Sequence, residues 1–344
     1  MTPEFGREPP PAPVRPAPRT PETPPPIRPA SRPSEHAPSR PAQKPATVPT
    51  RTPESPFATG RSPARIAAIQ SALDRSGFSP NWIDGRNGPR TRRALAAWLE
   101  SRGRPGADAL PPGWEAELLG AEPPELTHVV TDADHAGLAP VPPTWTGKAQ
   151  VETLDHETVL ERIAERFHSS EAWLRDRNPG AAWPNPPAGT ALVVPNTVSP
   201  RRLPGADRIE IRLSERTLRA YDASGRVIAL FPCSIAARAE KRPQGELRVV
   251  TAADRPNYTF DPDVFAGEPG AEGLHRKLLI PPGPNNPVGL AWISLNLPGY
   301  GIHGTPHPGD IGKTESHGCF RLANWNAQRL LRMVRPGTPV QVNP

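Results

Sequence analysis

Cysteine is scarce: Cys233 and Cys319 are the only two in 344 residues. That is too few for a disulfide framework, so stability has to come from packing, and each thiol needs its own explanation. Large apolar side chains are also few. The hydrophobic fraction is 35%, aromatics make up 6%, and the mean hydropathy is -0.55. No run approaches the roughly 20 apolar residues that span a bilayer, which excludes an integral helical membrane protein. The opening residues, Met1-Thr2-Pro3-Glu4-Phe5, carry neither the charged n-region nor the apolar h-region of a secretory signal. Charge is only mildly unbalanced, 41 Lys and Arg against 35 Asp and Glu. This thin basic excess favours anionic polymers in general and predicts no nucleic-acid interface.

Proline is what the chain has in excess. Its 52 prolines are about three times the usual share, so the whole length cannot form one core. Nineteen of them precede Arg61. Residues 1–62 mix proline with Arg, Ala, Thr, Ser and Glu, and their few large apolar groups cannot offset the entropy of ordering. A disordered proline-rich linker is expected there, extended toward polyproline II.

From Pro63 onward helical spacing appears. Ile66, Ile69 and Leu73 form one stripe that ends at Gly77, and Leu95, Trp98 and Leu99 form a second. Between them Asp84-Gly85-Arg86-Asn87-Gly88-Pro89 is built from turn-forming residues. Asp84, Gly85, Gly88 and Thr91 give this segment a D-G-x-x-G-x-x-T turn that resembles the peptidoglycan-binding domain type 1. A small α-helical domain over residues 63–122 is therefore expected. Next come a short strand at Thr127-His128-Val129-Val130, helical stripes through Val159, Leu160, Ile163 and Phe167 and through Trp173 and Leu174, and a strand at Leu192-Val193-Val194-Pro195. With Asn178-Pro179 and the Gly189-Thr190-Ala191-Leu192 approach to the last strand, residues 123–199 resemble a glycan-binding LysM module of βααβ order. A long insertion between Val130 and Val151 departs from that compact pattern. Residues 205–344 are richer in β-branched residues, at Arg208–Leu213, Arg226–Ile235, Glu246–Thr251 and Leu290–Leu295, with one late helix at Trp325–Val334 and a final strand at Pro339–Val342. The fold class expected is thus multidomain, with a mostly β domain last.

The chemistry concentrates in that last domain. Ile302-His303-Gly304-Thr305 is followed by Ser316-His317-Gly318-Cys319-Phe320-Arg321-Leu322, which places two imidazoles and a thiol within 17 residues. A cysteine attacks carbonyls as its thiolate, and an ordinary thiol pKa of roughly 8.5 leaves little of it ionised at neutral pH. Either His303 or His317 could take the proton and return it to a leaving amine. Spacing alone discriminates weakly between them. Pro306, Pro308, Gly309 and Gly312 make a return loop that would bring His303 back to Cys319. Gly318, lacking a side chain, lets a carbonyl approach the backbone N–H groups beside the thiol. Arg321 offers two parallel donors to a carboxylate. The hydroxyls of Ser316 and Thr305 either touch substrate or close turns.

Together with Ile280-Pro281-Pro282-Gly283-Pro284-Asn285-Asn286-Pro287-Val288-Gly289 and Ile311-Gly312, these motifs resemble the L,D-transpeptidase catalytic (YkuD-type) family across roughly residues 207 to 343. The resemblance implies a β-sandwich-like fold with Cys319 as nucleophile and His303 as proton acceptor and donor. It implies that the Gly304 carbonyl orients that imidazole, that His317, Gly318 and Cys319 frame an oxyanion site, and that Arg321, with Ser316 and Thr305, binds substrate. The reaction implied is acyl transfer. A tetrapeptide stem of peptidoglycan loses D-alanine to form a thioester, which an amine resolves as a 3-3 cross-link or which water resolves in L,D-carboxypeptidase fashion. No cofactor is needed. Peptidoglycan stems and glycan strands are the partners implied, and an extracytoplasmic location, periplasm or cell wall, follows from that substrate.

Two other readings compete. His303, His307, His317 and Cys319 are all possible zinc ligands, but their spacing matches no common zinc pattern and coordination would occupy the thiol. A non-catalytic wall-binding protein would need the two N-terminal modules only. Cys233 is expected to pack as a small apolar side chain. The remaining histidines, and Trp82, Trp98, Trp114, Trp145, Trp173 and Trp183, receive no role from their spacing.

Overall fold

The structure, a computed structural model, describes residues 60–105, 110–198, 202–264, 270–312 and 318–344. The linker expected over residues 1–62 falls outside them up to residue 59, and so do Ser316 and His317.

The described residues open with three helices, α1 (Pro63–Arg75), α2 (Pro89–Ser101) and α3 (Trp114–Leu119). The hydroxyl of Ser62 caps α1 by accepting from the Arg65 N–H, with Pro63 at the first helical position where no donor is missed. Gly77 then turns the chain at φ +91°, a conformation that favours glycine. Ile69, Leu73, Leu95 and Trp98 are buried in one cluster with Trp114 and Leu118 of α3, the helix that sequence periodicity did not show. The Asp84 to Thr91 turn is organised from within. Buried Gln70 donates to Asp84 Oδ1, Arg86 O and Thr91 Oγ1 and accepts the N–H groups of Asp84 and Gly85.

The second module pairs β1 (Glu125–Val129) antiparallel with β2 (Ala191–Pro195). Between them lie α4 (Asp132–His135), α5 (Trp145–Lys148), α6 (Val159–Arg166) and α7 (Glu171–Arg177). Thr158 and Ser170 cap α6 and α7 through their hydroxyls. The order expected, strand, two helices, strand, is present, and the insertion adds α4 and α5.

The last domain contains β3 (Arg208–Arg212), β4 (Thr217–Tyr221), β5 (Val227–Pro232), β6 (Gly245–Asp254), β7 (Tyr258–Phe260), β8 (Leu278–Ile280), β9 (Ala291–Leu295), β10 (Gly301–His303), β11 (Phe320–Arg321), α8 (Asn324–Leu331) and β12 (Pro339–Asn343). Eight strands form one sheet in the order β11-β10-β9-β6-β12-β3-β4-β5. Strand β6 belongs to both halves. Its first residues pair with β12, its later ones with β9, and the register shifts between Val249 and Thr251, the kind of irregularity by which a strand changes leaf in a sandwich. The core lies between the two leaves, where Ile209, Ile211, Phe231, Ile293, Ile302 and Phe320 meet Leu330 of α8. The sheet's two ends also touch. Ser234, just past β5, donates its N–H to the Arg321 carbonyl at 2.9 Å and accepts the Arg321 N–H at 3.1 Å. The sandwich-like expectation is thus met by a single curled sheet whose edges join.

Strand β5 is buried at every residue because the helical module covers its outer face. Ser79 and Gly77 hydrogen-bond Leu230, and Tyr221, Val227 and Leu230 enter the helical module's cluster. Covering on both faces explains its continuous apolar run, Val-Ile-Ala-Leu-Phe. Arg219 of β4 reaches Glu100 of α2 at 2.7 Å.

All three parts meet at Asp74, fully buried near the end of α1. Its carboxylate accepts from both guanidinium nitrogens of Arg329 on α8 at 2.9 Å and lies 2.7 Å from His168 Nδ1 of the second module. Burial alone would raise its pKa, but Arg329 and His168 outweigh that and hold the carboxyl well below the usual carboxylate range. A lowered carboxyl pKa contributes stability above its unfolded value and loses it as pH falls. Asp74→Asn is therefore expected to cost about 3 kcal/mol in denaturant unfolding at pH 7, because Arg329 is left buried without its anion. The variant should also lose less stability than wild type on acidification below about pH 4.

Candidate active site

Two short strands position the reactive groups. β10 pairs parallel with β11, Ile302 opposite Phe320 and His303 opposite Arg321, and antiparallel with β9, His303 opposite Trp292. Ile302 and Phe320 are buried in the core, so alternation sends His303 and Arg321 to the other face of the sheet. Cys319, two residues before Arg321, shares that face and sits beside Gly301, whose backbone hydrogen-bonds the sulfur. The thiol also donates to the Gly299 carbonyl at 3.5 Å. His303, Gly318, Cys319 and Arg321 line one cavity of about 470 Å³.

His303 Nδ1 lies 2.7 Å from the Gly304 carbonyl oxygen. A carbonyl only accepts, so Nδ1 carries the proton and Nε2 is left as the acceptor. The indole of Trp292 stacks on the imidazole, centroids 5.5 Å apart at 25°. That indole also lies where a side chain at Gly301 would begin, 2.7 Å from the position of a Cβ. Burial pushes the His303 pKa down to about 4, helped by the Arg321 charge and opposed by the bond to Gly304. Burial raises the Cys319 pKa above the ordinary thiol value, with the Gly301 backbone bond and Arg321 pulling the other way. At neutral pH the pair therefore rests as thiol and free imidazole. Arg321 opposes imidazolium and favours thiolate at once. Its backbone is held by Ser234, and its Nε is buried with no hydrogen-bond partner among the described residues.

One residue that motif reading missed holds the surrounding loops. The buried amide oxygen of Asn324, at the start of α8, accepts the N–H groups of Leu290 at 3.0 Å and Thr305 at 3.1 Å, while its nitrogen donates to the Pro284 carbonyl. A Cβ on either Gly289 or Gly304 would collide with that oxygen. The glycines of two separate motifs thus make room for one side chain. The only sequence signal was an Asn directly ahead of a helical stripe, which reads as an ordinary cap.

Of the residues singled out from the sequence, Cys319, His303, Gly318 and Arg321 are brought to one cavity, with Gly304 bonded behind the imidazole. Thr305 is buried, and its hydroxyl accepts the His307 N–H at 3.2 Å, a turn-closing contact away from the cavity lining. His307 lines a different cavity, beside Trp82 and Glu161. His317 and Ser316 lie outside the described residues. Cys233 is fully buried with a free thiol that burial pushes up to about 12.

The native protein is accordingly expected to show one thiol reactive toward iodoacetamide. That reaction should disappear in Cys319→Ser and speed up with pH to beyond the ordinary thiol midpoint of about 8.5. Cys233 should label only after unfolding. A fast second thiol in the native state would contradict the burial of Cys233.

A family model for the YkuD-type L,D-transpeptidase catalytic domain matches residues 206–342. A Bacillus licheniformis protein named as L,D-transpeptidase YkuD is 30% identical over 185 residues, 54% of this chain and 93% of its own length. An Escherichia coli K12 protein named as L,D-transpeptidase ErfK/SrfK is 30% identical over 221 residues, 61% of this chain and 70% of its own. A Bacillus subtilis 168 protein, also named as L,D-transpeptidase YkuD, is 28% identical over 184 residues, 54% of this chain and 93% of its own. With a matching catalytic-domain model and relatives aligned over most of their length, the chain belongs to the YkuD-type L,D-transpeptidase family of enzymes.

Proposed function

We propose that this enzyme acts on peptidoglycan stem peptides through a thioester on Cys319. The observation that carries the reading is the hydrogen bond from His303 Nδ1 to Gly304, which leaves Nε2 as an acceptor on the wall of the cavity that also holds the thiol. In the first half-reaction His303 Nε2 takes the thiol proton as the sulfur adds to the carbonyl preceding D-alanine. The carbonyl oxygen becomes an oxyanion beside the Gly318 and Cys319 backbone, with His317 completing that frame. The C–N bond then breaks, the imidazolium gives its proton to the departing amine, and D-alanine leaves. In the second half-reaction an acceptor amine adds to the thioester and loses a proton to the same imidazole, and the thiol is restored as a 3-3 cross-link forms. Arg321 seats a substrate carboxylate.

A buried, neutral imidazole is free to accept a proton at neutral pH, and because burial lowers its basicity it takes that proton in concert with sulfur attack on the carbonyl rather than beforehand. In the same reading the modules over residues 63–122 and 123–199 hold the glycan strand and raise the local concentration of stems, and the enzyme works outside the cytoplasm, where that polymer lies.

Mass spectrometry of the protein mixed with a disaccharide-tetrapeptide is the direct test. An adduct with loss of D-alanine is expected in wild type and absent in Cys319→Ala. His303→Ala should slow adduct formation by about 10²- to 10⁴-fold. The acid limb of kcat/KM is expected near pH 4, where His303 becomes protonated, rather than at the ordinary histidine value. No adduct in wild type would overturn the proposal.

A further inference from the structure

The insertion between Val130 and Val151 is unexplained by a glycan-binding role for the second module, yet it reaches the catalytic cleft. Val141, Trp145, Ala149, Val151 and Leu154 pack in one apolar cluster with Phe260, Leu278 and Ile280 of the β7–β8 hairpin. The Trp145 indole lies face to face on Phe260, centroids 3.9 Å apart at 11°, with Tyr258 tilted against it at 6.3 Å. Backbone bonds tie the same segments together. Leu154 N–H donates to the Pro282 carbonyl at 3.0 Å, and the Leu154 carbonyl accepts from Asn285 N–H at 2.9 Å. The contact is close enough that only glycine fits at position 283, where φ is +152° and a Cβ would run into the Leu154 backbone.

Trp145, Tyr258 and Phe260 then line the same 470 Å³ cavity as Cys319 and His303, with Lys241 beside them. One wall of the catalytic cleft is therefore supplied by a different module from the one that carries the nucleophile. Its chemistry is an aromatic surface with a cation near it and a second cation, Arg321, elsewhere in the lining. A peptide with aliphatic side chains and several carboxylates matches both features.

We infer that Trp145 is a substrate-binding and specificity-determining residue of the catalytic cleft, receiving the aliphatic part of the acyl-donor stem peptide. The second module thereby completes the active site instead of only tethering it. This rests on the transpeptidase reading above, so the test separates the two. Binding of a free stem tetrapeptide is measured by calorimetry on the full chain in a Cys319→Ala background, with and without Trp145→Ala or Trp145→Phe. Iodoacetamide labelling of Cys319 is followed in the single Trp145 variants.

Trp145→Ala is expected to weaken peptide binding about tenfold. Trp145→Phe, which keeps the stack on Phe260, should recover most of that loss. Labelling of Cys319 should stay within about twofold of wild type in both variants, and in turnover the change should appear in KM rather than kcat. Unchanged binding in Trp145→Ala would overturn the inference while leaving the transpeptidase reading standing. So would labelling that changes in step with binding, which would make the indole a prop for the hairpin. A Cys319→Ala chain that binds no stem peptide, together with a wild type that forms no adduct, would overturn the function itself.

Discussion

The parallel pairing of β10 with β11 is the constraint on which the chemistry depends. It is only two residues long, Ile302 with Phe320 and His303 with Arg321, and it determines which side chains face the cavity. A slip of one residue would turn His303 into the hydrophobic core and Ile302 toward the cavity. Such a short ladder is weak alone, and the surroundings hold its register. Ile302 and Phe320 anchor it in the core, β9 pairs its other edge, and Ser234 clasps Arg321 by two backbone bonds across the closing seam of the sheet. Closing the sheet also removes an open edge that could pair with another chain.

Electrostatics within the cleft follow from that packing. The imidazole is buried and the thiol half-buried, and for both the loss of solvation favours the uncharged form. Arg321, in register with His303, biases charge toward the sulfur. The bond to Gly304 fixes which imidazole nitrogen is left as an acceptor, and Asn324 holds the loop that supplies the carbonyl. The site is thus pre-organised by neutral hydrogen bonds, with one guanidinium setting the field.

The N-terminal modules are built into this scaffold rather than strung beside it. Asp74, His168 and Arg329 come from three different parts and share one buried carboxylate contact. The helical module covers β5, and the insertion of the second module supports the β7–β8 hairpin. The Asp84 to Thr91 turn is held from within, since buried Gln70 bonds the side chains of both Asp84 and Thr91.

Local pattern carried much of this molecule. The stripes of Ile66, Ile69 and Leu73 and of Val159, Leu160 and Ile163 became helices, the β-branched runs became strands, and the spacing of His303, Gly304, Gly318, Cys319 and Arg321 named a reactive cluster. Strand β4 was also missed in the sequence, and strands β7, β8, β10 and β11 were not legible, because two- or three-residue ladders have no periodicity to detect and exist only through their neighbours. Asn324, Trp292 and Trp145 were missed for the same reason, as each acts on residues distant in the chain. The amino-acid order by itself determined which chemical groups are available and where the strongly patterned elements lie, since capping, turn chemistry and apolar spacing are local. Only the tertiary structure decided that a tryptophan of the second module lines the thiol's cavity and that two glycines yield to one asparagine, because those relations arise when separate segments close on a shared core.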